Sequence, residues 1–239
     1  MEKKELVYEG KAKKIFYTDH ENYYWVEYKD DATAFNGEKR GTIVGKGELN
    51  NRISSIFFTL LAEQGIENHF VKLLSPTEQL VRKVRIIPIE VVIRNLAAGS
   101  LAKRLGLEEG TPLRHPVIEF YYKDDELGDP MINSSHISVL QLATQEQLEE
   151  MKTISLRVNQ ILTRYLEKRE VLLVDFKLEY GITPDAKLLL ADEISPDTCR
   201  FWDANSKEKL DKDRFRRDLG NVEEAYQEIL KRLGGEVHV

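Results

Sequence analysis

Residues 171–194 read VLLVDFKLEYGITPDAKLLLADEI. In the first half, Leu172, Val174, Phe176, Leu178 and Tyr180 alternate with Asp175, Lys177 and Glu179, the period-2 pattern of a strand with one apolar and one charged face. Thr183-Pro184-Asp185-Ala186 is rich in turn residues, and Lys187–Ile194 is a second strand, so the stretch predicts an antiparallel hairpin. With the turn centred between Asp185 and Ala186, Glu179 falls opposite Asp192. Directly opposed carboxylates repel. A divalent cation that takes oxygen ligands, magnesium with phosphate partners, accounts for the pair. The same spacing fits a solvated polar face that Lys177 balances, and a one-residue slip would turn Asp192 to the other side.

Upstream, Glu5–Tyr8, Lys14–Tyr17 and Tyr23–Tyr28 are short β-rich runs punctuated by Gly10 and Asp19–Asn22, an antiparallel meander. Ile53, Ile56, Phe57, Leu60 and Leu61 recur at helical spacing and predict a helix over Leu49–Gln64, stopped by Gly65. Strands follow near Gln79–Val84 and Ile86–Arg94, where Pro88 favours an edge or a bulge over a central strand. Beyond Arg94 come a turn with alanine and glycine, a short helix and a charged loop over Lys123–Asn133. Thr144 and Gln147 form a capping box for a long helix with Leu148, Met151, Ile154, Val158, Ile161, Leu162 and Tyr165 in one stripe. A last helix runs from Val222 to Leu233, capped by Asn221 and ended by Gly234-Gly235. The irregular mixture reads as α+β, with a domain seam near residues 80–90: a β-rich lobe over 1–84 and an α+β lobe over 85–239.

The 239 residues suit one large or two modest domains, and 41% hydrophobic with 32% charged residues describe a globular chain. A formal charge of −6 argues against a dedicated nucleic-acid binder. The charged opening Met1–Glu5 leads into no apolar segment, and no run of about 18 apolar residues occurs, so the expectation is a cytoplasmic protein with no membrane partner. The single Cys199 excludes an intramolecular disulfide framework. P-loop and dinucleotide fingerprints are absent, as are zinc-hydrolase and serine-esterase motifs.

Three polar constellations remain. Gly10-Lys11-Ala12-Lys13-Lys14 joins two strands, and a glycine turn with alternate lysines outlines a phosphate clamp, or an exposed basic turn. Gly45-Lys46-Gly47 is a weaker instance. Arg94-Asn95-Leu96-Ala97-Ala98-Gly99-Ser100 combines an arginine fork with a hydroxyl, suited to a phosphomonoester; alternatively Arg94 pairs with a carboxylate. Ser195-Pro196-Asp197-Thr198-Cys199-Arg200 leaves the proposed metal strand as a polar turn carrying a second arginine.

Taken together, these residues resemble the SAICAR synthetase family, the phosphoribosylaminoimidazole-succinocarboxamide synthases of purine biosynthesis. Ile86–Ser100 is similar to one family signature, and Leu173–Gly181 to a second, with Tyr180 where phenylalanine is usual. YEGKAKKIF, GKGELNN, ADEISPDTCRFWD and DKDRFR resemble further blocks in the family's order, over nearly the whole chain. The resemblance implies an α+β fold of two lobes with antiparallel sheets and an ATP cleft, distantly similar to protein kinases and ATP-grasp enzymes. It implies a ligase that joins a carboxyaminoimidazole ribonucleotide to L-aspartate with ATP and Mg²⁺, working as a homodimer. Carried over, Lys11, Ala12, Lys13, Lys83 and Lys123 would bind the nucleotide, and Glu179 and Asp192 the magnesium. Arg94, Ser100 and Arg200 would take the ribonucleotide 5′-phosphate, with Asp175 and Lys177 close to the reacting groups. Asn36 departs from branches that carry aspartate there. Lys212, Arg214 and Arg216 are candidates for the aspartate carboxylates.

A carboxylate acylates an amine only after activation, so the expected route is an acyl phosphate. Lys177 would stabilise developing charge and Asp175 would accept the amine proton. The rival readings are a small-molecule or lipid kinase using the same cleft and a non-catalytic nucleotide-binding module.

Overall fold

The alternating start of the chain forms the expected meander, β1 (Lys3–Glu9), β2 (Lys13–Thr18) and β3 (Tyr23–Tyr28). This is a computed structural model, and it describes residues 1–34 and 38–235; Asn36 lies outside the described residues. A small separate hairpin, β4 (Asp31–Ala34) with β5 (Lys39–Thr42), precedes helix α1 (Lys46–Glu63). Strands β6 (Phe70–Ser75) and β7 (Glu78–Arg82) then complete a five-stranded sheet in the order β1-β2-β3-β7-β6.

The second sheet begins three residues later with β8 (Arg85–Leu96). Helix α2 (Gly99–Leu105), strands β9 (Pro112–Tyr122) and β10 (Met131–Ile132), and helices α3 (Ser134–Val139) and α4 (Gln145–Glu167) follow. The hairpin of β11 (Val171–Ile182) and β12 (Leu188–Ala191) completes the order β10-β9-β8-β11-β12, and β13 (Cys199–Asp203) pairs with the other end of β11. Helices α5 (Asp213–Arg216) and α6 (Val222–Arg232) close the described chain. Among the described residues, no helix is long and apolar enough to cross a membrane.

Several local expectations change. Pro88 lies in a central strand, because β8 pairs with both β9 and β11. The register against β11 jumps from Glu179↔Glu90 to Gly181↔Ile86, so β8 carries a bulge over Ile87–Ile89 and the missing proline N–H falls where the ladder is interrupted. The hairpin is one residue tighter than expected. Glu179 pairs with Ala191, not Asp192, and Thr183 N donates to Lys187 O at 2.9 Å to close the turn. Asn221 enters α6 with φ 50° and its side chain makes no cap hydrogen bond. The capping box of α4 is as expected, with Thr144 Oγ1 accepting from Gln147 N.

One buried cluster spans both parts of the chain. Ile53, Phe57, Phe58 and Leu61 of α1 join Ile89, Val91 and Ile93 of β8, Phe176 and Leu178 of β11, and Tyr226 and Ile229 of α6. Within it, the Tyr180 hydroxyl meets Ser155 Oγ at 2.7 Å, which satisfies both polar groups and accounts for a tyrosine in this apolar strand face. Buried Asp211 pins the C-terminal segment: its Oδ2 accepts from Phe201 N at 2.9 Å and its Oδ1 from Asp213 N at 2.7 Å. Burial, and then the neighbouring Asp213 carboxylate, push the Asp211 pKa up to about 7.

Two stability outcomes are expected. Tyr180→Phe leaves the Ser155 hydroxyl buried and unpaired and costs about 1–3 kcal/mol by urea unfolding, whereas adding Ser155→Ala recovers most of that loss. For Asp211 the folded state holds its proton between pH 3.8 and about 7, where the unfolded chain has released it. Stability from this group is therefore full below the lower value and is lost as the pH rises through the upper one. The urea midpoint should fall between about pH 4 and 7 more steeply in the parent than in Asp211→Asn.

Candidate active site

Strand alternation gives the first sheet a concave face carrying Lys13 and Ile15 from β2, Tyr24 and Val26 from β3, and Gln79 and Val81 from β7. Opposite it stand Ile86, Glu90, Lys123, Lys177, Glu179 and Asp192, and between them lies a cavity of about 400 Å³. Its apolar lining includes Ile15, Val26, Val81, Val84 and Ile86. Lys11 and Ala12 line the cavity from the turn after β1, which closes with Gly10 N donating to Lys13 O at 2.8 Å. A Cβ on Gly10 would lie 3.1 Å from the Tyr8 ring, so glycine lets this turn fold tightly over the cavity.

The carboxylates of the lining face ammonium groups. Lys177 Nζ donates to Glu179 Oε1 at 2.7 Å and to Glu90 Oε1 at 2.9 Å, and lies 3.7 Å from Asp192 Oδ2. Lys123 Nζ donates to Glu179 Oε1 at 2.8 Å. Lys13 Nζ bonds Asp192 and lies 3.0 Å from Glu193 Oε1. Burial alone would lower the Lys177 pKa, but Glu179, Asp192 and Glu90 outweigh it and hold the group charged well above the usual lysine range. Lys13 is likewise raised by Asp192 and Glu193 against its burial. For Asp192, burial opposes ionisation, and Lys13, Lys177 and Lys123 overcome it and hold the carboxyl well below its ordinary value.

Asp192 thus reaches the cavity without the register that the sequence suggested. It follows β12 with φ 60°, a left-handed residue that turns the chain, and its carbonyl accepts from His69 Nε2 at 3.1 Å. Burial, with Lys13 adding to it, lowers the His69 pKa to about 4, so the ring is neutral and Nε2 carries the proton. The carboxylate directly opposite Glu179 is Glu90 of β8.

A smaller cavity of about 160 Å³ adjoins the first and is lined by Arg94, Asp175, Arg200 and Arg216; Lys177, Asp197 and Thr198 line both. Arg94 donates to Asp175 Oδ2 at 2.7 Å, Glu119 Oε2 at 2.8 Å, and Ser100 Oγ at 3.1 Å. Arg200 Nη1 donates to both oxygens of Asp175, at 3.0 and 2.9 Å. Both oxygens of Asp175 therefore accept from guanidinium groups, a geometry that fixes the two arginines.

The structure brings together Lys11, Ala12, Lys13, Lys123, Lys177, Glu179 and Asp192 around one cavity, and Arg94, Ser100, Asp175 and Arg200 around its neighbour. Lys83 is not in the cavity lining; its ammonium lies over the Tyr17 and Tyr24 rings. Of the three further basic candidates, Lys212 lines the larger cavity and Arg216 the smaller, while Arg214 is turned away onto Glu208 and the Gly220 carbonyl. Glu90, Glu193 and His69 escaped the sequence reading. Pairing β8 against β11 would have exposed Glu90, which shares a period-2 face with Arg94; His69 and Glu193 carry no local signal. Among the described residues, no three His, Cys, Asp or Glu side chains form a metal-holding group.

Residues 6–233 match the model of a family described as SAICAR synthetase. The phosphoribosylaminoimidazole-succinocarboxamide synthase of Brevibacillus brevis is 69% identical over all of both chains, and that of a Thermoanaerobacter strain is 62% identical over 98% of this chain and 100% of its own. Among solved structures, the same enzyme from Ehrlichia chaffeensis superposes with a TM-score of 0.95 at 50% identity, covering 98% of this chain and 100% of that one. A SAICAR synthetase in complex with ADP gives 0.95 at 51% identity with the same coverage. With its two antiparallel sheets and the cavity between them, the chain belongs to the SAICAR synthetase family, ATP-dependent carbon–nitrogen ligases of purine biosynthesis.

Proposed function

We propose that the larger cavity binds ATP, that the smaller one binds the 5′-phosphate of a carboxyaminoimidazole ribonucleotide, and that the carboxylate of the latter is joined to L-aspartate where the two meet. The observation that carries this reading is the shared wall of Lys177, Asp197 and Thr198. A related SAICAR synthetase bound to ADP supports the nucleotide assignment. In this reading the chain works as two lobes, 1–84 and 85–239, with the apolar lining taking the adenine and Lys11, Ala12, Lys13 and Lys123 taking the phosphates. Lys83 would act on the nucleotide only if its ammonium left the tyrosine rings. Family resemblance supports a cytoplasmic homodimer.

The donor set fits Mg²⁺. Glu179 and Asp192 are hard oxygen ligands converging on the Lys177 ammonium, and a two-carboxylate site leaves positions for phosphate oxygens and water. Held there, the ion would neutralise charge on the terminal phosphates. The chain's own residues do the rest. Arg94, Ser100 and Arg200 anchor the ribonucleotide and fix its carboxylate near the γ-phosphorus, which converts an encounter into a unimolecular step. Attack of the ribonucleotide carboxylate on the γ-phosphorus breaks its bond to ADP and forms the acyl phosphate; the amine of L-aspartate then displaces phosphate to form the amide, and the amine proton leaves with the phosphate. Lys177, kept cationic, stabilises the charge that builds on the transferring oxygens. Lys212, in the lining of the larger cavity, suits an aspartate carboxylate, whereas Arg216 lines the cavity given to the ribonucleotide phosphate. Asp175 serves as the counter-anion of the arginines, a role its two occupied oxygens favour over that of a base.

Glu179→Gln and Asp192→Asn should each lower kcat by about 100-fold or more while leaving ATP binding within a few-fold, read by a coupled phosphate assay and by calorimetric titration with ATP. Phosphate should appear only when both the ribonucleotide and L-aspartate are present. A stable phosphorylated product formed without aspartate would establish the kinase reading instead, and unaltered rates in both variants would establish a non-catalytic nucleotide module.

A further inference from the structure

Arg200 and Arg216 approach the smaller cavity from separate elements, β13 and α5, with nine residues of loop and turn between Asp203 and Asp213. One carboxylate joins their side chains. Asp213 Oδ2 accepts from Arg200 Nε at 2.9 Å, and Asp213 Oδ1 accepts from Arg216 Nη1 at 2.6 Å. The Asp213 side chain is 2% exposed. Its own place is set by Asp211, whose buried carboxyl group takes the amide of Asp213 on one oxygen and the amide of Phe201, the residue after Arg200, on the other. Residue 213 is thereby clamped to the strand that carries Arg200. From the opposite side the Arg200 guanidinium presses against Gly99, where a Cβ would lie 2.6 Å from Nη2 and the backbone has φ 53°. Arg200 is thus held in a slot between a glycine and two carboxylates, Asp175 and Asp213. Burial alone would raise the Asp213 pKa, but Arg200 and Arg216 outweigh it and lower the value to about 2, so the clamp stays charged.

We propose that Asp213 is a positioning residue that sets the spacing and aim of the Arg200 and Arg216 guanidiniums at the cavity receiving the ribonucleotide phosphate. The inference rests on the phosphate assignment made above. A planar fork recognises a phosphate only in the right orientation, and side chains ordered before binding spare the complex that ordering. Asp213 does this without touching the ligand, since Arg200 and Arg216 stand between it and the cavity.

The test is a steady-state comparison of the full-length enzyme with Asp213→Asn, Asp213→Glu and Arg94→Lys. Asp213→Asn should raise the KM for the ribonucleotide at least about tenfold, with the KM for ATP within about twofold of the parent. Asp213→Glu keeps the charge but displaces the carboxylate by one methylene, and should raise the same constant by a smaller factor. Unchanged ribonucleotide KM in both soluble variants overturns the inference, as does a rise shared equally by the ribonucleotide and ATP, the mark of a merely structural role. If Asp213→Asn does not fold, Asp213→Glu decides on the same split. Arg94→Lys separates the two levels: if it leaves the ribonucleotide KM unchanged, the phosphate assignment fails. If it raises that KM while the Asp213 variants do not, the positioning inference alone fails.

Discussion

The ammonium of Lys177 is the interaction on which the rest of the site depends. Glu90 and Glu179 stand directly opposite each other on neighbouring strands, and Asp192 closes in from the turn after β12. Three carboxylates in a buried place are tolerable only if cations share it, because the desolvation of each charge is costly and its repulsion of the others adds to that. Lys177 bonds two of them and lies beside the third, with Lys13 and Lys123 completing the balance. The same residue, with Asp197 and Thr198, lines both cavities. The group that neutralises the acids of one pocket is therefore also the group that the contents of the other would meet.

Backbone irregularities deliver these side chains. The register of β8 against β11 runs unbroken from Asp175↔Arg94 to Glu179↔Glu90, and the bulge at Ile87–Ile89 then brings Ile86, which lines the cavity, opposite Gly181, where a regular ladder would place Pro88. Asp192 is brought in by a left-handed residue held by the neutral ring of His69. Pro88 and Asp192 both break the local rules of a strand, and such breaks concentrate where a site needs a side chain out of register.

Legibility in the sequence followed local signal. Strong alternation and strong amphipathicity were readable, so the meander, α1, α4 with its capping box and the β11–β12 hairpin stood out. β9 was invisible because Pro112 and Pro116 interrupt it and its apolar residues gather only toward its end. β13 has five residues, and its Phe201 and Trp202 follow a run that reads as a turn. The charged face of β11 was legible from period 2 alone, and the block-by-block resemblance supplied roles that spacing could not. What local pattern could not supply was the identity of each partner across the sheet. The opposed pair was expected to be Glu179 with Asp192, yet it is Glu179 with Glu90, since pairing partners depend on turn length and bulges that a single strand's pattern does not encode.

The arginine cavity obeys the same electrostatic logic with the signs reversed. Arg94, Arg200 and Arg216 would repel one another if left bare, and each is instead seated on a buried carboxylate, Glu119, Asp175 or Asp213. Those carboxylates do not cancel the cavity's affinity for anions, because a guanidinium has five donors and its carboxylate partners engage only some of them. They fix which donors remain. In the neighbouring cavity the acids are crowded and lysines hold them apart, so a nucleotide–metal unit would likewise enter a set of charges already placed. Both halves of the site are therefore preorganised by opposite charges within the chain, with Lys177, Asp197 and Thr198 along the wall they share.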